Sequence, residues 1–165
     1  MPPDSSGAVA NTQELNLMSD LGREEFEEQW AAQVGRFAIA LGEIEWATDI
    51  LLAAADCPLK KDESLAVRLC LLRENIGNLK PGIGAELERV VGEADELRDR
   101  RNSVLHSGIA FNIFTDGTAV AIKAFVNDRR DKYKDIDLDS MRCLAARAQQ
   151  LSKDFWAVVL KQTGN

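Results

Sequence analysis

Apolar side chains recur at three- and four-residue steps between residues 21 and 56. At about 100° per residue, Trp30, Val34, Phe37, Leu41, Ile44, Thr48 and Leu51 fall on one face, which predicts a long helix over residues 21–56. A second apolar line, Ile39, Trp46 and Ile50, lies almost opposite. A helix that is apolar on two faces needs two partners: it is either sandwiched inside the monomer or packed against a second copy of the chain. Cys57-Pro58 breaks the pattern, because the residue before a proline avoids helical backbone. Leu65, Leu69, Leu72 and Ile76 predict a second helix over residues 62–79. Lys80-Pro81-Gly82-Ile83-Gly84 reads as a connection, and a third helix follows over residues 84–107. The period then changes from helical to alternating at Ile109, Phe111 and Ile113. Asp116-Gly117 suits a tight turn, and Val120 and Ile122 alternate on the way back, so a β-hairpin is expected over about residues 109–125. Leu138, Met141, Ala145, Ala148, Leu151, Phe155 and Val158 predict a last helix starting between residues 137 and 140, with Gly164 beyond its end.

These elements describe a mainly α fold, a four-helix up-down bundle with a hairpin inserted between helices three and four; short links before helices two and three favour antiparallel neighbours. Residues 1–20 are small, polar and contain proline, glycine and serine, and read as a mobile tail before one helical domain over residues 21–165. The acidic run Glu24-Glu25 with Glu27-Glu28 reads as a solvated first turn. Trp30, Trp46 and Trp156 stand at spacings suited to core or interface.

Composition narrows the setting. No apolar run approaches the ~20 residues that span a bilayer, and residues 1–10 lack a basic start and an apolar middle. A cytoplasmic location, away from any membrane, is expected. Cys57, Cys70 and Cys143 are odd in number and far apart, so reduced and mostly buried thiols are expected, with neither disulfide framework nor zinc site. The net charge of −7 argues against indiscriminate nucleic-acid binding, but the acid surplus lies before residue 98 and the remainder is net basic. Arg98, Arg100 and Arg101 form one basic cluster and Arg129, Arg130, Lys132 and Lys134 another.

The third helix carries the one chemical oddity. Leu87, Val90, Ala94, Leu97, Val104 and Leu105 all lie within about 60° of Arg101 on the helical wheel. A guanidinium on an apolar stripe cannot shed its proton, so it must meet an anion, pair with a carboxylate such as Glu43 or Glu45, or reach out to water. Asn102 and His106, the only histidine, are four residues apart at the edge of that stripe. A solitary histidine near a helix end also suits the helix dipole without further purpose.

The segment Arg101-Asn102-Ser103-Val104-Leu105-His106 resembles the Arg-x4–6-His signature of HEPN domains, in which a polar residue, often Asn, commonly follows the Arg. The likeness extends in architecture over residues 21–160, and Gly42-Glu43-Ile44-Glu45 is similar to part of the family's opening helix. What the resemblance implies is a metal-independent endoribonuclease, an effector of bacterial or phage conflict, needing no cofactor. Arg101, Asn102 and His106 would be its catalytic residues. The imidazole would act as acid or base, the guanidinium would hold the phosphate, and Asn102 would orient His106 or bond the phosphate. Family members pair two motifs across a homodimer, which would supply a second His106; the interface expected here runs through Ile39, Trp46 and Ile50 of helix one and through helix three. The products would be a 2′,3′-cyclic phosphate and a 5′-hydroxyl. Arg98, Arg129, Arg130 and Lys132 would contact the RNA backbone and Tyr133 would stack on a base. Ser107-Gly108-Ile109 replaces the Tyr that follows the His in one branch of the family, so the nucleotidyltransferase switch of that branch is not expected. Two other readings remain open: a non-catalytic helical binding or dimerisation module, and a regulatory subunit that silences a neighbouring toxin.

Overall fold

The computed structural model describes the backbone of residues 6–57, 59, 63–106, 109–115, 120–127 and 135–164. Within these it describes the side chains of residues 24, 25, 27–57, 59, 63–101, 104, 105 and 136–164. Four α-helices dominate: α1 (Ser6–Ala54), α2 (Leu65–Glu74), α3 (Gly84–His106) and α4 (Leu138–Thr163). Strands β1 (Ile109–Thr115), β2 (Val120–Asn127) and β3 (Asp135–Asp137) pair antiparallel in that order, with Ile113 opposite Ile122 and Val126 opposite Ile136. The turn expected at Asp116-Gly117 lies outside the described residues.

Local chemistry accounts for the helix ends. Asp56 adopts left-handed backbone (φ 56°), its N–H bonds the Ala53 carbonyl (3.1 Å), and the Cys57 N–H bonds the Leu52 carbonyl (2.9 Å). That is the paired closure normally built around glycine, with aspartate in its place. The Asp137 carboxylate caps α4 by accepting from the Ser140 N–H (2.8 Å), and Gly164 (φ 82°) closes it.

Trp30, Phe37, Ile44 and Leu51 of α1, Leu69 and Leu72 of α2, Leu87, Val90 and Leu97 of α3, and Met141, Leu151 and Phe155 of α4 form one buried core. Gln29–Arg142, Glu43–Ser152 and Trp46–Trp156 occur in the same order along α1 and α4, so these two helices run parallel. Glu86–Lys161, Arg89–Asp154 and Glu96–Arg147 occur in opposite order along α3 and α4, so α3 runs against both. The expected alternating order of four helices is therefore corrected. At ten residues, α2 is about 15 Å long and does not return the chain along the bundle. It packs beside the end of α1, where Arg68 pairs with Asp49, and against α3, where Arg73 pairs with Asp95 (2.7 Å). The second helix was expected over residues 62–79; its last part is instead a 3-10 turn over Ile76–Asn78.

Two further expectations change. The described backbone is helical from Ser6, within the stretch expected as a tail over residues 1–20, and residues 1–5 lie outside the described residues. Ala8, Ala10, Gln13, Glu14, Leu15, Leu17 and Met18 are strong helix formers, and a helix nucleated in the core extends through such residues at little cost. Glu24, Glu25, Glu27 and Glu28 consequently stand in the helix interior, exposed, and not in its first turn. The thiols are not mostly buried either: Cys57 is half-buried, and Cys70 of α2 and Cys143 of α4 are exposed.

Candidate functional site

Ile44 points into the core, and at about 100° per residue Glu43 and Glu45 flank it on opposite sides of α1. Each carboxylate meets a different helix. Glu43 accepts from the Ser152 hydroxyl of α4 (2.6 Å). Glu45 accepts from Arg101 Nη1 of α3 (3.0 Å). Of the two partners weighed for Arg101 from the sequence, Glu45 is the one it meets. Arg101 sits between buried Leu97 and Val104, yet its side chain keeps 40% of its surface exposed and Glu45 keeps 29%. The guanidinium thus emerges at the edge of the apolar stripe. It is charge-paired but not sealed from solvent.

α3 ends at His106, five positions beyond Arg101. The side chains of Asn102 and His106 lie outside the described residues, as do residues 128–134, which include Arg129, Arg130, Lys132 and Tyr133. Arg98 is engaged on its own helix by Asp95 (2.9 Å) and Asp99 (3.0 Å). Three adjacent basic residues therefore do not make one cationic surface. Arg98 is matched by acids, Arg101 by Glu45, and Arg100 lines a separate cavity of about 600 Å³ between the end of α3 and the start of α4. Ile136, Asp137, Asp139, Ser140, Cys143, Leu144 and Arg147 complete that lining. Nothing in the sequence pattern signalled it, because it joins segments forty residues apart through the β3 connection. Its charges are largely matched: Arg147 pairs with Glu96 (2.6 Å), and Asp139 pairs with Arg142 (2.8 Å).

A different surface is apolar. Ile39 (66% exposed) and Trp46 (62%) stand out from α1, and Trp46 meets Trp156 of α4 edge-to-face at 5.2 Å and 83°. Leu160, one turn beyond Trp156, is also exposed. These residues follow the α1–α4 seam. Trp46 lies about 100° around α1 from Glu45, on the flank away from Arg101. The stripe and the guanidinium are separate features of one helix.

Among the described residues no group of three or more His, Cys, Asp or Glu gathers to hold a metal ion, and no helix is long and apolar enough to cross a membrane. The exposed Cys70 is no activated thiol, since its hydrogen bond to Glu74, and then that carboxylate's charge, raise its pKa. No family model, curated protein or solved structure matches the chain.

Proposed function

We propose that this chain is a metal-independent endoribonuclease of the HEPN type, cutting RNA through the ribose 2′-hydroxyl, and that its inserted segment is a hairpin turning at Asp116-Gly117. The observation that carries the reading is a half-exposed arginine, Arg101, emerging from an apolar helix face one turn and a half before that helix ends at the sole histidine. A guanidinium in such a half-buried setting binds a phosphate more strongly than one in open water. An imidazole with an ordinary pKa near 6.5 transfers protons at neutral pH. Arg98, Arg129, Arg130 and Lys132 would contact the RNA backbone and Tyr133 would stack on a base.

A purified sample should cut single-stranded RNA in the presence of chelator, leaving cyclic phosphate ends. Arg101→Ala and His106→Ala should each lower the rate at least about a hundredfold. RNA left intact by the wild type, or cut equally by His106→Ala, sinks the proposal.

One observation favours a second reading, a non-catalytic dimerisation module. Arg101 already has a carboxylate partner, and the Ile39–Trp46–Trp156–Leu160 seam is an apolar surface suited to a second copy of the chain. On that reading Trp46→Ala changes the mass seen by light scattering, while no variant at Arg101 alters RNA.

A further inference from the structure

We infer that two copies of this chain pair antiparallel through the outer face of α1, each laying Ile39 and Trp46 on the bare helix backbone at Gly42 and Gly35 of the other. The inference rests on the dimerisation reading, to which it gives an arrangement, and it holds whether or not the chain cuts RNA. Ile39 and Trp46 are large, apolar and well over half exposed. Trp156 of α4, edge-to-face against Trp46, holds that indole in place. At about 100° per residue, Ala32, Gly35, Ile39 and Gly42 all lie within about 40° of Trp46, opposite buried Phe37 and Ile44. The steps along this line alternate between three and four residues, the spacing of a coiled-coil seam. Glu28 and Asp49 continue the same spacing and bound the apolar run with charge at each end.

Packing within one copy does not account for the two glycines. Glycine is a poor helix former, yet a Cβ placed at Gly35 or Gly42 meets nothing within 4 Å among the described residues. A second helix crossing closely over them makes use of the missing side chains, because the spacing of packed helices is set by the side chains at the contact. Arg101 meets α1 through Glu45, about 100° around the helix from Trp46, and so stays outside this joint.

Size and charge both set the direction. In a parallel pair each seam residue meets its own counterpart, so the indoles of Trp46 collide while hollows face each other at Gly42. With one copy reversed and Ile39 set on Gly42, Trp46 falls on Gly35, and large meets small in each layer. Arg36 and Glu43 are exposed and share the flank of this face nearer α4. Reversal about a two-fold axis brings like flanks together, so Arg36 of each copy meets Glu43 of the other. Parallel pairing would set that flank against the opposite one, where Ala31 and Ala38 stand and offer no charge. In the single chain Arg36 donates to Gln33 (3.4 Å) and Glu43 accepts from Ser152 (2.6 Å). A carboxylate has further acceptor positions, so the Ser152 bond and the ion pair are compatible.

Light scattering on the full chain should give twice 18.2 kDa. Gly35→Gln and Gly42→Gln each put a better helix former on α1 but fill the space the other copy needs. Each should weaken association at least about tenfold, yet melt no earlier than the wild type at dilutions where both are monomers. A dimer that holds through Gly42→Gln overturns the arrangement and spares the dimerisation reading. Arg36→Glu and Glu43→Arg should each weaken the dimer about tenfold, since two ion pairs turn repulsive. An equal mixture of these two variants should recover wild-type association, because both contacts then join unlike charges. A mixture that binds no tighter than its components overturns the antiparallel direction. Should Glu43→Arg melt early through loss of the Ser152 contact, Arg36→Glu alone decides: weakened association supports the pairing, unchanged association overturns it. Wild type that stays monomeric overturns this arrangement and the dimerisation reading together.

Discussion

Arg89 on α3 donates to Glu93 on the next turn (2.7 Å) and across the bundle to Asp154 of α4 (2.8 Å). The Arg89 hydrogen bond holds the Asp154 carboxyl below its ordinary range against the opposing push of partial burial, with a smaller contribution from the Gln150 hydrogen bond; in return the Asp154 bond raises Arg89. A carboxyl whose pKa is lowered in the folded state adds stability above its unfolded value near 3.9 and loses it as pH falls through the lower folded value. Asp154→Asn should therefore cost stability at neutral pH, within about 1 kcal/mol because Arg89 is half exposed. The difference between wild type and variant should close below about pH 4. Denaturant melts of both proteins at neutral and acid pH test this, and a gap that stays constant with pH would show that the pair adds nothing electrostatic. The Arg101–Glu45 pair differs in setting. It has no second acid sharing its guanidinium among the described residues, and both partners lie beside an apolar stripe, so the same residue types join α1 to α3 at one place and α3 to α4 at the other.

At the scale of elements, helix ends carry the clearest local consequences. Asp56 holds a left-handed conformation that glycine adopts without strain. Asp56→Gly should raise stability by about 0.5–1 kcal/mol, read as a later thermal midpoint; an earlier one would mean that the carboxylate makes a compensating contact. The residues that mark such ends were largely legible. Gly84, the Asp137–Ser140 start and Gly164 stand where the periodic pattern placed them, since capping depends on neighbours within one turn. The stripe around Arg101 was legible for the same reason, and its burial follows the helical wheel. The length of α2 was not. Ile76 continues the apolar rhythm of Leu65, Leu69 and Leu72, but the backbone tightens after Asn75, and tertiary contact decides that. β3 escaped because three residues hold no period. Which glutamate meets Arg101 was open, because Glu43 and Glu45 differ only in the flank of α1 they occupy, and the positions of α3 and α4 set those flanks.

The whole molecule turns on that shortened α2. Because it does not traverse the bundle, α3 runs against α1, and α4 returns parallel to α1. The flanks of α1 are thereby divided between α4, with the tryptophan seam, and α3, with Arg101. On the proposed ribonuclease reading, self-association along the seam would be independent of chemistry at Arg101, and mixing subunits distinguishes this from a shared cleft. Wild type and His106→Ala, carrying different tags and co-expressed, can be purified as mixed assemblies and assayed on RNA. If each protomer acts alone, the mixed assemblies keep about half the wild-type activity, whereas a cleft that needs both imidazoles keeps almost none. The geometry of α1 predicts the first outcome. The second would require the two copies to meet across α3, on the flank where Glu45 now pairs with Arg101. A partner's histidine would then supply the second proton-transfer group, and Glu45 would hold the guanidinium in place.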